Sequence, residues 1–447
     1  MAPSLKLLFL WQSVLTLSFA RQASITQVKC PQSHGAKPNF PSLDLHWISI
    51  DSFNGAYFVD IQVGEPPQTL RVVHDSGSGD IFLHSTADNG YEESCAAQTP
   101  NDICFPEYVN KTSRTYKEIG PGKFHPPIVG LPNATGSYIT DTLRFPGATI
   151  RNQVIGSTWF APLPVSLLGT SFPSVQAGVY KGTFPAYPTF IERMVSGGII
   201  QSQTESIWLD PTRSDPDVFP DGHALYGAVD TSLFTGKLVT VPAVAPKNTT
   251  PTDTPLNWNV PVRSIAKRDR KNKNLVATLT GLSCVVDTGT SFLALPNSSF
   301  MNLVAAYPKA VYNDSVAGFP GFWQLPCSER DKASNALEVT FFDPRDEKTQ
   351  VTIEVPPWQV IWPTHNLVPG GDKNTCVLNA VSWEAYFGGD GNVGDVFECV
   401  LGDSIMKAGY FVLDTGNKEA SIAFAAVRRG PPRLVGIPKG GVRKLKL

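Results

Sequence analysis

The sequence predicts an all-β chain built as two homologous lobes, and three observations carry that prediction: composition, the spacing of short apolar runs, and an internal repeat. Hydrophobic residues make up 42% of the 447 residues and charged residues 17%, with 37 glycines and 38 prolines. That balance excludes disorder, coiled coil and collagen and favours strands joined by turns. Length allows three average domains or two large β lobes, with ample chain for a core in either case.

In chain order, residues 1–20 carry Lys6, the mostly apolar run Leu7–Leu17 and the small-residue exit Ser18–Phe19–Ala20. This is the layout of a secretory signal peptide cleaved after Ala20. No later run reaches the ~18 consecutive apolar residues that span a bilayer, and the C-terminus is basic, so neither a membrane anchor nor a GPI signal is read. The chain is expected to be secreted and soluble. Residues 21–45 form an N-terminal segment or short propeptide, 46–212 the first lobe, 213–427 the second, and 428–447 a basic tail with no packing pattern, expected to be disordered.

Strands are read at Ala56–Val63, followed by the turn Gly64–Glu65–Pro66–Pro67, and at Leu70–Val73, Leu238–Val241, Leu275–Leu279, Val351–Val355, Tyr410–Leu413 and Ser421–Phe424. Helices are few. One is Phe190–Ser196, where Thr189 and Glu192 make a Thr-x-x-Glu capping box and Gly197–Gly198 ends the run. Another runs from about Ser299 to Tyr307, with Phe300, Leu303, Val304 and Tyr307 on one face.

The net charge of −2 conceals an uneven distribution, since seven basic residues and no acid lie in 428–447. The remaining body is acidic, by about ten charges, which argues against a nucleic-acid partner because phosphate binding needs a basic stripe. Export makes the seven cysteines disulfide candidates with one left over. It also makes Asn110, Asn133, Asn248, Asn297 and Asn313, each in Asn-X-Ser/Thr, glycan acceptors or plain loop asparagines.

The repeat decides the fold. Val72–Val73–His74–Asp75–Ser76–Gly77–Ser78–Gly79 and Cys284–Val285–Val286–Asp287–Thr288–Gly289–Thr290–Ser291 both run an apolar strand into Asp-[Ser/Thr]-Gly-[Ser/Thr]. Each is followed much later by two apolar residues and a glycine, Leu167–Leu168–Gly169 and Val400–Leu401–Gly402. A period of about 210 residues is too long for a solenoid and reads as two facing lobes. In each turn the strand fixes the backbone, glycine admits a close neighbour, and the hydroxyls can hydrogen-bond the carboxylate. Two such turns related by a pseudo-twofold axis bring two carboxylates together. Like charges at that separation cannot both ionise easily, so one proton is shared, and the pair can activate a water while protonating a substrate.

At this point the chain resembles the pepsin-like aspartic proteases, as a secreted, fungal-type member, over about Asn54 to Val427. The resemblance also rests on Ala56 through Gln68, on Leu225–Tyr226–Gly227–Ala228–Val229–Asp230 through Phe234–Thr235–Gly236, and on Val400–Leu401–Gly402–Asp403–Ser404 with Tyr410–Phe411–Val412–Leu413–Asp414. It implies a bilobal fold with the active-site cleft between the lobes and the dyad Asp75 and Asp287. Ser76 and Thr288 would hold the two loops together, flanked by Gly77 and Gly289, and Ser78 and Thr290 would bond the outer carboxylate oxygens. It implies the disulfides Cys95–Cys104 and Cys327–Cys376. Cys284 and Cys399 stand at equivalent places on neighbouring strands, as a third bridge or as two buried thiols, and Cys30 is the odd one. No metal or organic cofactor is implied, and the substrate would be an extended polypeptide bound by a monomer.

The sequence departs from the family pattern at the flap, the hairpin that closes over substrate. In place of Tyr-Gly-Thr-Gly-Ser the simplest alignment gives Asn133–Ala134–Thr135–Gly136–Ser137; a gapped one puts Ile128 or Val129 at the tyrosine position. The tyrosine is missing in both, and the tryptophan that usually partners it is Phe82. His74 stands before the first aspartate where the family usually has an apolar residue; strand alternation points it away from Asp75, as a core-packed histidine rather than a tuning group. The basic segment Lys267–Lys273 and the pair Arg428–Arg429 read as an exposed loop and a solvated tail ahead of processing sites. The expected function is therefore a secreted aspartic endopeptidase. The altered flap keeps alive the alternative of a catalytically impaired binding or inhibitor protein, whereas a carbohydrate-binding β protein lacks any aromatic-rich repeat.

Overall fold

The computed structural model describes residues 40–49, 55–85, 105–126, 133–161, 165–211, 221–245, 255, 257–267, 282–313, 322–364, 372, 374–386, 398–416, 419–428 and 432–446. The predicted strand Leu275–Leu279, the leader, Cys30, Cys95, Cys104 and Asn248 lie outside these residues.

Among the described residues the architecture is β throughout. The first ten strands are β1 (Ser42–Ser49), β2 (Gly55–Val63), β3 (Gln68–Asp75), β4 (Ile81–His84), β5 (Lys117–Phe124), β6 (Thr135–Phe145), β7 (Ala148–Phe160), β8 (Ser166–Gly169), β9 (Thr204–Leu209) and β10 (Gly222–Tyr226). They join Phe234–Pro242, Gly409–Asp414 and Ser421–Val427 from the second half in one 13-stranded sheet, in which β1 sits between β2 and β10 and β9 pairs with Gly409–Asp414. A second, seven-stranded sheet belongs to the second half. The predicted strands Ala56–Val63, Leu70–Val73, Leu238–Val241, Val351–Val355, Tyr410–Leu413 and Ser421–Phe424 all fall inside observed ones.

The two halves repeat one arrangement. β3 runs parallel to β8, pairing Asp75 with Gly169, and β8 runs antiparallel to β4, which is parallel to β7. In the second half Leu282–Val286 runs parallel to Cys399–Leu401, which is antiparallel to Leu293–Leu295, itself parallel to Ala380–Ser382. The glycine closing each apolar pair is explained by this crossing. A Cβ on Gly169 would stand 2.3 Å from the Asp80 carbonyl, and one on Gly402 2.2 Å from that of Thr290. A single buried cluster holds Tyr57, Val72 and Leu168 of the first half together with Val286 and Leu401 of the second.

Both predicted helices form. Phe190–Ser196 carries the reciprocal capping box, with Glu192 N–H donating to Thr189 Oγ1 at 3.3 Å and Thr189 N–H to Glu192 Oε2 at 2.7 Å, and buries Phe190, Ile191 and Met194. The other helix spans Asn297–Ala305, two residues earlier than expected, because the Glu384 carboxylate accepts the Asn297 N–H at 2.7 Å and so caps the first turn from outside.

Two segment boundaries are corrected. Residues 42–45 belong to the folded body, since Leu43 and Leu45 are buried in β1. The basic tail is not loose: Leu434–Gly436 pairs with the short strand Ala228–Asp230, Ile437 and Val442 are buried beside Trp208 and Tyr410, and Val442 N–H donates to Asp414 Oδ2 at 2.8 Å. Its apolar residues are few, but a sheet edge that needs a partner takes them in. Arg428 is likewise structural, donating to the carbonyls of Thr231 and Ser232. The Cys327–Cys376 bridge is present, and so is Cys284–Cys399, whose residues stand directly opposite on parallel strands with Cα atoms 4.5 Å apart.

Candidate active site

Each repeat places its aspartate at a strand end and surrounds it with the same donors. Gly77 N–H donates to Asp75 Oδ1 at 2.8 Å and Ser78 Oγ to Asp75 Oδ2 at 2.6 Å; Gly289 N–H donates to Asp287 Oδ1 at 2.8 Å and Thr290 Oγ1 to Asp287 Oδ2 at 2.7 Å. The carboxylates face one another across the two glycines. A Cβ on Gly77 would lie 2.7 Å from Asp287 Oδ1, and one on Gly289 2.7 Å from Asp75 Oδ1. Only hydrogen in place of a side chain lets the loops approach this closely.

Ser76 and Thr288 lock the loops together. Ser76 Oγ donates to the Val286 carbonyl at 2.9 Å and accepts from Thr288 N–H at 3.0 Å. Thr288 Oγ1 donates to the His74 carbonyl at 2.8 Å and accepts from Ser76 N–H at 3.0 Å. Both side chains are fully buried, so these bonds form out of competition with water. Beside them Asn257 Nδ2 donates to the Gly77 carbonyl at 2.8 Å, while Asn257 Oδ1 accepts from Ser171 Oγ, a brace the sequence did not announce.

Withdrawal from bulk water, followed by the negative charge of Asp75, pushes the Asp287 carboxyl up to about 7, against the opposing bonds from Thr290 and Gly289. Beneath the site a second ionisable pair is buried. Burial holds Asp403 well above the usual carboxylate range, opposed by Lys407 and reinforced by Asp287, and burial lowers Lys407 to about 8. The Lys407 ammonium lies 5.5 Å from the Tyr57 ring centre and 5.9 Å from that of Trp362.

A family model described as "Eukaryotic aspartyl protease" matches residues 56–426, which contain both aspartates and every residue that bonds them. The chain belongs to the eukaryotic aspartyl proteases. Similar curated proteins include "Probable aspartic-type endopeptidase opsB" of Aspergillus fumigatus, 26% identical over 404 residues that cover 84% of this chain and 70% of that one. "Barrierpepsin" of Saccharomyces cerevisiae is 27% identical over 282 residues, 57% of this chain and 47% of that one. The fold is that of the aspartic proteinase from Irpex lacteus, with a TM-score of 0.63 at 20% identity over 86% of this chain and 97% of the other.

Around the dyad this aspartyl protease places its remaining candidate residues as follows. Thr135, Gly136 and Ser137 lie inside β6, where Gly136 pairs with Phe124 of β5 and Thr158 of β7. Asn133 is exposed just ahead of β6, and Ile128 and Val129 lie outside the described residues. At the base of this hairpin Phe82, Phe124, Tyr138 and Tyr187 form an aromatic cluster, with Tyr138 stacked on Phe184 at 4.1 Å. The buried Asp80 carboxylate ties it together, accepting from Tyr187 Oη and, at 2.6 Å, from Ala177 N–H. Burial pushes Asp80 up to about 6. Of the glycan-acceptor candidates, Asn133 and Asn297 are exposed, Asn110 and Asn313 are half-buried, and Asn313 Nδ2 donates to Gln324 Oε1 at 3.0 Å.

His74 is where sequence reasoning saw least. Its ring is fully buried and points away from Asp75, as alternation requires, yet it touches the dyad's support: Nδ1 is 2.9 Å from Thr288 Oγ1 and Nε2 2.7 Å from Glu205 Oε1. Glu205 and Asp80 drew no attention in the sequence. A carboxylate inside a run of buried strand residues was the only signal available.

Proposed function

We propose that this protein is a secreted endopeptidase that hydrolyses internal peptide bonds with a water molecule activated between Asp75 and Asp287. The observation that carries the reading is the matched set of donors on two carboxylates packed against each other's glycine. The rise of Asp287 to about 7 supports a dyad that keeps one shared proton from acid up to near-neutral pH. The ionised carboxyl then takes a proton from the water as its oxygen attacks the peptide carbonyl carbon, while the protonated carboxyl gives its proton to the carbonyl oxygen. The tetrahedral species collapses when the leaving nitrogen is protonated, without a covalent enzyme intermediate. Substrate would lie extended in the cleft as an added strand, with alternate side chains read by pockets.

Secretion is supported by the leader pattern of residues 1–20 and by the bridges Cys284–Cys399 and Cys327–Cys376, which persist in oxidising compartments. Among the described residues no helix is long and apolar enough to cross a membrane. Action as a monomer, glycosylation at the exposed Asn133 and Asn297, and the bridge Cys95–Cys104 belong to the same reading.

The test is cleavage of denatured globin from pH 3 to 7 by the purified protein, with pepstatin and Asp287→Asn as controls. Acid-optimal cleavage that pepstatin and the substitution both abolish is the expected result. The missing flap tyrosine favours one other reading, a binding protein without catalysis; pepstatin binding with no cleavage at any pH would select it.

A further inference from the structure

The two halves of the lock between the catalytic loops are not equivalent. Ser76 Oγ and Thr288 Oγ1 each donate to a carbonyl and accept a backbone N–H from the opposite loop. Thr288 Oγ1 alone has a third partner, His74 Nδ1 at 2.9 Å; the residue in the corresponding place in the other half is Val286, whose side chain has no polar atom to offer Ser76.

The proton inventory settles which way that third bond runs. The Thr288 hydroxyl has one hydrogen, and the His74 carbonyl, which can only accept, takes it at 2.8 Å. Ser76 N–H can only donate. For all three contacts to be hydrogen bonds, Nδ1 must carry a hydrogen and donate it. Nε2 then faces Glu205 Oε1 at 2.7 Å, and either tautomeric description, imidazolium with carboxylate or imidazole with carboxylic acid, keeps a hydrogen on Nδ1 and one proton between Nε2 and Oε1. Glu205 thus fixes the ring's orientation, as a carboxylate commonly does for a working imidazole. The pair is 0% and 1% exposed, and Tyr226 is the further titratable side chain facing Glu205. A buried ionisable pair rarely adds stability over apolar side chains of similar volume, so stability alone is a weak account of this pair, and the contact it makes beyond itself is the one to Thr288.

We infer that His74, oriented by Glu205, is a positioning residue of the catalytic site: its Nδ1–H fixes the Thr288 side chain and thereby the loop that carries Asp287. The inference rests on the protease reading above. Its effect should fall on the chemical step, because Thr288 is buried below the dyad and touches no substrate.

The experiment compares kcat and KM for a peptide substrate, pepstatin affinity by calorimetry, and melting temperature in three chains: wild type, His74→Leu/Glu205→Leu, and His74→Asn/Glu205→Gln. The first double substitution removes both polar partners together, so no buried charge is stranded. The second returns a side-chain N–H where Nδ1 stood. The expected result is about a tenfold loss of kcat in the leucine pair with KM within twofold and the melting temperature held. The asparagine pair should recover to within about threefold of wild type. Should the leucine pair fail to melt cooperatively, His74→Leu and His74→Asn compared in the Glu205→Gln background carry the same contrast, again about tenfold in kcat. Equal kcat for the leucine and asparagine chains, or a leucine pair as active as wild type, overturns the inference and leaves the protease reading intact. If wild type binds pepstatin without turnover, the same ranking is expected in pepstatin affinity, and equal affinities overturn it. A wild type that neither cleaves nor binds pepstatin overturns both.

Discussion

Replacing Thr290 by valine takes one hydroxyl from the dyad and leaves the backbone of its loop untouched. Thr290 Oγ1 donates to Asp287 Oδ2 at 2.7 Å, and the bond favours the ionised carboxylate. A hydrogen bond to a charged group contributes about 1.5–3 kcal/mol, and about 1.4 kcal/mol corresponds to one pKa unit, which would give a shift of about one to two units. Thr290 is half-exposed, so water replaces part of the lost bond and about one unit remains. The sign is upward, because the charged form loses its partner. Asp287, already held at about 7, would move toward about 8, and the alkaline limb of kcat/KM against pH would move with it by about one unit. The assay is kcat/KM on a fluorogenic peptide from pH 3 to 9, with melting temperature recorded at each pH to exclude unfolding. An alkaline limb that stays in place or moves to lower pH would refute the reasoning, since it would mean that Asp287 does not set that limb or that Thr290 does not bond its charged form.

Three further outcomes follow from the same geometry. Gly77→Ala would drive a Cβ to within 2.7 Å of Asp287 Oδ1, and kcat should fall by about 100-fold or more while the melting temperature changes little. Asp80, raised to about 6 from an unfolded value near 3.8, contributes stability that is fully present below pH 4 and lost as pH rises through 6, about 3 kcal/mol in all. Glu329, lowered to about 2 by its bonds to Lys309, Lys332 and Asn335 against the opposing effect of burial, acts in reverse and loses its contribution as pH falls from about 4.5 toward 2. Thermal melts should therefore peak near pH 4 to 5 and decline toward neutrality, and Asp80→Asn should flatten the decline; a melting temperature that climbs from pH 4 to 7 would contradict both. Truncation after Val427 strips Ile437 and Val442 from their packing and Leu434–Gly436 from its partner strand, and should lower stability by about 3–6 kcal/mol in chemical denaturation.

Much of this was legible in the sequence, for a physical reason. The dyad loops are local: a strand, an aspartate, a hydroxyl and a glycine in consecutive positions make nearly all their bonds within the motif or to its twin, so the repeat pointed to Asp75 and Asp287, and the family resemblance to Ser78 and Thr290 beside them. The capping box at Thr189 was legible because both of its partners sit within four residues. Glu205 was not, because its partner lies 131 residues away on another strand, and alternation says which way His74 points but not what waits there. Asp80 was hidden in the same way, its carboxylate being answered by Ala177 and Tyr187. The tail misled because composition reports how much a segment can bury, whereas docking depended on an edge, Ala228–Asp230, that lies two hundred residues upstream.

The reciprocal lock between Ser76 and Thr288 has a bearing on how such a chain could have arisen. Neither half can complete its own catalytic loop, because each hydroxyl reaches a carbonyl of the other half. A half-length ancestor would have had to work as a symmetric homodimer, and in that dimer the positions now held by His74 and Val286 would have been the same residue, twice. Two histidines would have brought two buried carboxylates beneath one dyad, or two valines none. A symmetric pair of identical halves cannot hold one of each, so the asymmetry at His74 is a property open only to two halves that differ in sequence, as they do in this chain.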